Sequence, residues 1–149
     1  MICGIDPGLT GGITFIEGND VVSERIPVLS IKGKKFLDLV KIINRLELYK
    51  PDMVYIEKQH SMPRQGVVST FRTGFNYGIY IGSFVSLGLR YTEVSAVKWK
   101  KDLQVSSDKN EARARATELL PQAANSWLLK CEDGVAESAM IAYWGLHKA

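Results

Sequence analysis

Residues 1–12 read MICGIDPGLTGG, and they decide how the rest of the chain is interpreted. A short apolar run ends in Asp6 and breaks at once into Pro, Gly and Thr. Asp is unfavourable in strands, and a buried carboxylate is costly unless a cation meets it. The pattern therefore indicates an acid at the end of a buried strand that holds a metal ion or a phosphate-bound group. The alternative is an Asx turn, in which Asp6 only caps the backbone of Pro7 and Gly8.

Length and composition indicate one globular domain. The chain has 149 residues, of which 46% are hydrophobic and 23% charged, as in soluble proteins. No apolar run reaches the roughly eighteen residues of a membrane helix, and the start lacks a signal-peptide pattern, so we expect a cytoplasmic protein with no membrane partner. Cys3 and Cys131 show no CxxC spacing, which argues against a zinc site or a disulfide framework.

The net charge of +3 is unevenly distributed. From Lys58 to Arg115 there are ten Lys and Arg against four Asp and Glu, a net charge of +6, whereas the remaining residues carry −3. The middle of the chain is therefore a candidate surface for a polyanion. The alternative is a set of ordinary solvated lysines.

The hydrophobic pattern predicts an α/β fold. Strands are expected over 1–6, 11–17, 20–28, 53–57 and 90–94, with short turns that make the first three antiparallel. Helices are expected over 34–49, 69–87, 109–120 and 133–146, and residues 98–101 form a short basic segment. In the second helix Gly74, Gly78 and Gly82 line one face, which lets the sheet or a second subunit approach closely.

Acidic residues end two of the predicted strands. The first and fourth strands can lie side by side and parallel, which would bring Asp6 and Glu57 to one edge of the sheet. On the last helix Asp133 and Glu137 are four residues apart and share a face. Four converging carboxylates repel one another unless divalent cations lie between them, and oxygen-only ligation favours magnesium or manganese. Two such ions roughly 4 Å apart are the arrangement that cleaves phosphodiesters.

Three motifs in this order resemble the RuvC family of Holliday junction resolvases, most closely its compact bacteriophage-type members. They are the strand with Gly-Ile-Asp-Pro-Gly, the Ile-Glu-Lys strand with its Met-Pro-Arg-Gln-Gly loop, and the helix with Asp-Gly-Val-Ala-Glu-Ser-Ala-Met-Ile-Ala-Tyr. Each motif alone is weak, but the three together span nearly the whole chain.

The resemblance implies an RNase H-like fold, here a five-stranded mixed sheet of three antiparallel and two parallel strands flanked by helices. It implies a homodimer that cuts four-way DNA junctions in recombination and repair, leaves 5′ phosphates and uses two Mg²⁺ ions per site, with Mn²⁺ as a substitute. Carried over by position, the metal ligands are Asp6, Glu57, Asp133 and Glu137.

The third ligand is the least secure of the four. The last position is more often Asp in the bacterial enzymes, whereas Glu137 stands here, and the preceding acid lies four residues back rather than three. Glu132 therefore competes with Asp133. Lys109, in the first turn of its helix, is a candidate contact to the scissile or adjacent phosphate, and a solvated surface lysine is the alternative.

Several residues are predicted to contact DNA. The cations among them would neutralise phosphates and read little sequence: Lys58, Arg64, Arg72, Lys98, Lys100 and Lys101. Phe71 and the loop before it are placed to enter the junction centre and stack on a base. The alternative is that Phe71 belongs to the helix core.

Two other classes fit parts of the sequence. Actin-like and sugar kinases also carry an Asp-Gly-Thr loop after a first strand, but they pair two such domains around a nucleotide, so we expect no nucleotide cofactor. A junction-binding module without catalysis would not need all four acids. A broader branched-DNA nuclease that also cuts forks and flaps stays open.

Overall fold

A computed structural model describes all 149 residues. Its seven strands are β1 (Ile2–Asp6), β2 (Gly12–Glu17), β3 (Asp20–Arg25), β4 (Val28–Ile31), β5 (Lys34–Leu37), β6 (Met53–Glu57) and β7 (Tyr91–Val94). Its five α-helices are α1 (Leu39–Tyr49), α2 (Val67–Ser86), α3 (Ala96–Asp102), α4 (Lys109–Leu119) and α5 (Asp133–His147). Two 3₁₀ segments, Pro121–Trp127 and Lys130–Glu132, connect α4 to α5.

The main sheet has five strands in the order β3-β2-β1-β6-β7. β1 pairs antiparallel with β2 and parallel with β6, and β6 pairs parallel with β7. This mixed sheet confirms the predicted fold class. It also confirms that the first strand and the strand over 53–57 lie side by side.

The predicted helix over 34–49 is wrong in its first part. Residues Lys34–Leu37 form β5, which pairs antiparallel with β4 as a separate two-stranded sheet. Lys32 and Gly33, with φ of 48° and 75°, make the tight turn that such a hairpin needs. The helix begins only at Leu39, where the Asp38 side chain accepts a hydrogen bond from the backbone N–H of Lys41 at 3.2 Å.

Helices cover both faces of the main sheet, because side chains alternate along each strand. Cys3, Ile5, Val54 and Ile56 pack with α1 and α2 on one face. Ile16, Tyr55 and Val94 pack with α3, α4 and α5 on the other. The residues predicted as a basic segment, 98–101, lie within α3, which places Trp99 in this second core.

Glycines on α5 and on the sheet side let the helix backbone approach the sheet closely. A Cβ on Gly4 would lie 2.3 Å from the backbone nitrogen of Ala142, and one on Gly134 would lie 2.3 Å from the carbonyl oxygen of Thr10. Gly11 and Gly134 also form a backbone bridge. The glycine-rich turn after β1 thus serves to seat the first turn of α5.

The glycine-lined face of α2 does not pack on the sheet. A Cβ added at Gly74, Gly78 or Gly82 would meet no atom within 4 Å. The same face carries exposed apolar side chains: Val67, Phe71, Phe75 and Val85. The sheet is therefore excluded as the close neighbour that the glycines would serve. No helix in the structure is long and apolar enough to span a membrane.

Candidate active site

The two strand-end acids meet at one edge of the main sheet. Ile5 lies opposite Ile56 in the parallel register of β1 and β6, so Asp6 and Glu57 follow at neighbouring positions. The first turns of α5 cross this edge, because Gly134 sits against Thr10 and Gly11. Asp6, Asp133 and Glu137 consequently line one cleft with Lys109.

The Asp6 carboxylate is in an unfavourable electrostatic position. Burial, and then the negative charges of Glu137 and Glu57, raise the pKa of Asp6 to about 7. The hydrogen bond to its Oδ1 comes from the backbone N–H of Gly8, at 3.3 Å. The Asx-type contact weighed from the sequence is therefore present, but it does not offset the burial of the charge. Burial also raises the pKa of Glu57.

Cationic side chains reach the two acids of α5. Lys109 Nζ and Lys100 Nζ donate to Glu137 Oε1 at 2.8 and 3.2 Å. The hydrogen bond from Lys109 to Glu137 raises the pKa of the lysine. Arg113 Nη1 donates to Asp133 Oδ1. Lys109 thus lines the cleft and is not an isolated surface lysine. Lys100, predicted as a DNA contact, is hydrogen-bonded to Glu137, one of the four acids.

Glu132 and Asp133 differ clearly in position. Glu132 accepts hydrogen bonds from Arg25 Nη2 at 3.4 Å and from the backbone N–H of Leu129 at 2.8 Å, so its carboxylate closes the turn before α5. Asp133 lines the cleft with Asp6 and Glu137. Between these two candidates for the third ligand, the geometry favours Asp133.

The donor set of the cleft fits a hard divalent cation. Carboxylate oxygens are the ligands that Mg²⁺ and Mn²⁺ prefer, and the Asp6 carboxylate is buried without a cationic side chain hydrogen-bonded to it. In the present arrangement the α5 acids pair with lysine and arginine, and no three acidic side chains lie close enough to share one ion. The four carboxylates are therefore of the right type for such an ion. To bind it, the α5 acids would have to exchange their lysine and arginine partners for the ion.

The residues predicted to contact DNA fall into two groups. Lys58, Arg64, Arg72 and Lys101 are exposed and make no ion pair. Lys98 instead binds Asp102 at 2.5 Å and lies 5.7 Å from the ring centroid of Trp144. Of the exposed residues, Arg72 lines a polar cleft with Gln59 and Asn76, and Pro7–Leu9 after Asp6 form its other wall. A basic side chain therefore lines the same cleft as the turn that follows Asp6.

Phe71 is not a core residue. Its side chain is 73% exposed, and its ring stacks on Phe75 with centroids 6.2 Å apart. Phe71 and Phe75 also line an apolar recess whose rim includes Lys35 of the β4–β5 hairpin and Arg72. The alternative that Phe71 belongs to the helix core is therefore wrong. Phe71 is part of an exposed aromatic surface that has Lys35 and Arg72 beside it.

Some residues at the site were missed by sequence reasoning. Trp99 Nε1 donates to Glu57 Oε2 at 2.8 Å, and Arg113 binds Asp133. Cys131 lines the cleft and accepts a hydrogen bond from Arg25 Nη2 at 2.8 Å. No local pattern marks Trp99 or Arg113, because each reaches the site through helix packing, and Cys131 precedes Asp133 by two residues without a recognisable motif. The basic character of 98–101 was the one signal that pointed towards this region.

Comparisons with known proteins give a consistent result for the fold. Neither a protein-family model nor a curated protein sequence matches the chain. RuvC of T. thermophilus in complex with a Holliday junction substrate superposes with a TM-score of 0.64 at 14% identity, covering 99% of this chain and 96% of that one.

Two further solved structures agree. The Thermus thermophilus RuvC structure gives a TM-score of 0.63 at 16% identity, covering 97% of this chain and 95% of that one. The yeast mitochondrial Holliday junction resolvase Ydc2 gives 0.50 at 15% identity, covering 95% of this chain and 77% of that one. The chain therefore has the RNase H-like fold of these resolvases, a mixed five-stranded sheet with flanking helices.

Proposed function

We propose that this protein is a Holliday junction resolvase, a metal-dependent endonuclease that cuts four-way DNA junctions and leaves 5′ phosphates. The observation that carries the proposal is the meeting of acids from β1, β6 and α5 at one sheet edge, in a fold that matches RuvC along almost the full length of both chains. With this substrate the protein would act in DNA recombination and repair. It would do so in the cytoplasm of a bacterium, or of the bacterial host if a phage encodes it.

Asp6, Glu57, Asp133 and Glu137 would hold two Mg²⁺ or Mn²⁺ ions. When bound, such ions activate a water and stabilise the departing 3′ oxygen of a phosphodiester. Asp6 would hold the metal from the end of β1, between Glu57 on β6 and the acids in the first turns of α5. Lys109, whose ammonium reaches the same cleft, would contact the scissile or adjacent phosphate.

The DNA would cross the basic surface beside the cleft. Exposed cations without ion pairs are suited to phosphates, and they include Lys58, Arg64, Arg72 and Lys101. The exposed ring of Phe71 would stack on a base at the open centre of the junction. Lys98 would contribute less, because Asp102 already neutralises it, whereas Lys100 would become free for DNA when Glu137 binds a metal ion.

The protein would act as a homodimer, because two symmetric nicks need two sites related by a two-fold axis. The face of α2 with Gly74, Gly78 and Gly82 supports a second copy as its partner, since it is exposed, apolar and lined by residues that permit close helix approach. Exposed Val85 extends this face towards the C-terminus of α2, whereas Phe71, nearer the N-terminus of the helix, would stay outside the contact and face the DNA. An apolar helix face of this length is unusual on a monomer surface.

The first experiment compares cleavage of a labelled immobile four-way junction, a fork, a flap and a linear duplex, with and without Mg²⁺. Paired symmetric nicks in the junction alone, dependent on metal, are expected. The variants Asp6→Asn and Glu57→Gln should bind the junction without cutting it. Equal cutting of all branched forms would replace the proposal by a broader branched-DNA nuclease. Tight binding without cutting by the unaltered protein would replace it by a junction-binding module.

A further inference from the structure

Each of the three tryptophans donates its indole N–H to a side-chain oxygen, and one of these oxygens belongs to an acid of the candidate site. Trp127 bonds to Thr117 Oγ1 at 3.0 Å, and Trp144 bonds to Asp102 Oδ2 at 2.7 Å. Trp99 bonds to Oε2 of Glu57 at 2.8 Å. Only the Trp99 bond therefore reaches one of the four acids at the sheet edge.

The position of Trp99 is fixed by its surroundings. Its side chain is fully buried in the core between the sheet and α5. β7 runs directly into α3, whose first turn is capped by Ser95, and Val94 lies opposite Glu57 in the sheet. The indole nitrogen can only donate a hydrogen bond, so any rotation of the ring would leave a buried donor without a partner.

The bond has consequences for Glu57. A glutamate has three side-chain torsions, and an acid at a strand end can point in several directions. With Oε2 held by an immobile indole, the carboxylate plane is oriented and Oε1 is left for another partner. Hydrogen bonds from outside a metal site commonly orient its ligands in this way.

We propose that Trp99 is a positioning residue that holds Glu57 in the orientation that binds a divalent cation. The inference rests on the proposed function, because it concerns the same four acids. It assigns to Trp99 no contact with substrate or metal. Its action is to restrict the Glu57 side chain, so its loss should weaken cation binding first and cleavage only as a result.

The experiment removes the N–H and measures Mn²⁺ binding by calorimetry, without DNA. Trp99→Phe deletes the donor, and replacement of Trp99 by 3-benzothienylalanine deletes it while keeping the shape of the ring. Both changes should weaken Mn²⁺ binding by about 10- to 100-fold. Trp127→Phe is the matched control, since it removes an equally buried indole with its own hydrogen bond, and its Mn²⁺ affinity should equal that of the unaltered protein.

A second readout is independent of activity and of folding losses. In ¹⁵N spectra of the metal-free protein, Glu57→Gln should shift one indole N–H resonance, the one missing from Trp99→Phe, and leave the other two in place.

Cleavage by the benzothienylalanine protein should recover at high Mg²⁺. Mn²⁺ affinity unchanged in that protein, or no indole shift in Glu57→Gln, would overturn the inference. Failure of the unaltered protein to bind Mn²⁺ would instead overturn the proposed metal-dependent function.

Discussion

The ammonium group of Lys109 lies 2.8 Å from Oε1 of Glu137 and so joins the first turn of α4 to the second turn of α5. A lysine held there faces the cleft that Asp6 and Asp133 also line. It is placed to meet a negatively charged group that enters the cleft. The role of Lys109 can therefore be separated from that of the basic surface as a whole.

Lys109→Ala should slow cleavage of a junction by about 100-fold under single-turnover conditions, because a cation at the developing charge is lost. Junction binding, measured by mobility shift, should weaken far less. Lys101→Ala is the control, since Lys101 is exposed on α3 and pairs with no acid. Equal loss of rate in both variants would contradict a specific role for Lys109.

Asp6 should make the metal-free protein less stable as pH rises. Its pKa is raised to about 7 in the folded state by burial and by Glu137 and Glu57. An acid with a raised folded pKa stabilises the fold below its unfolded pKa, and this contribution is lost as pH rises through the folded pKa. Thermal unfolding in EDTA should therefore show stability falling between about pH 4 and pH 7.

Asp6→Asn should flatten this part of the pH profile, because asparagine does not titrate. At about pH 8 the variant should be more stable than the unaltered protein in EDTA. Addition of Mg²⁺ should reverse that order by stabilising only the protein with the carboxylate. Superimposable pH profiles in EDTA would show that Asp6 has an ordinary pKa.

Gly134→Ala and Gly82→Ala should change stability in opposite directions. Both glycines lie in α-helices, where alanine has the higher helix propensity by about 1 kcal/mol. A Cβ on Gly134 would lie 2.3 Å from the Thr10 carbonyl oxygen, whereas one on Gly82 would meet nothing within 4 Å. Urea unfolding, measured at a protein concentration low enough for the monomer, should show a loss of about 1–3 kcal/mol for Gly134→Ala and a small gain for Gly82→Ala. A gain in both variants would mean that α5 is not seated on the turn after β1.

Gly78→Arg should convert a dimer into a monomer in sedimentation, because it places a charge in the middle of the glycine-lined face of α2. Leu48→Arg is the control, since Leu48 is also an exposed apolar residue but lies on α1. Its association state should be unchanged. Dimers in both variants would place the interface elsewhere.

The response to salt should distinguish the free cations from the paired ones. Arg72→Ala should lower the slope of log binding constant against log salt concentration by about one, because Arg72 is exposed and pairs with no acid. Lys98→Ala should change the slope little, since Lys98 is bound to Asp102 at 2.5 Å. Equal changes in slope would mean that the ion pair opens when DNA binds.

The sequence was sufficient for the main sheet because each strand carries its own signal. The apolar run before Asp6 and the one before Glu57 were long enough to identify, and short turns at Gly8–Gly12 and at 18–20 set the antiparallel part. The β4–β5 hairpin was missed because Phe36 and Leu37 precede the apolar pattern of α1 and extend it at helical spacing. The Lys32-Gly33 turn is a weak hairpin signal. Asp38 is a favourable helix-capping residue and marks the start of α1 in the sequence.

The acids of the candidate site could be found from sequence, whereas their partners could not. Asp6 and Glu57 end their strands, and Asp133 and Glu137 lie in the first two turns of α5, so the local sequence pattern is enough to locate them. Trp99 and Arg113 reach the site across helix packing, so their roles depend on contacts between residues that are 42 and 20 positions apart. The exposure of Phe71 also depended on tertiary structure, because an apolar residue on a helix looks the same from sequence whether or not a neighbour covers it.

The bridge between Gly11 and Gly134 joins segments that are synthesised at different times. A growing chain on the ribosome has Asp6 and Glu57 long before it has Asp133 and Glu137, and the second pair takes its place only when α5 docks on β1. A partly synthesised chain therefore lacks half of the acids of the proposed site. For the proposed nuclease, this order of synthesis would keep the immature chain inactive near the nucleic acids of the cell until its sheet is covered.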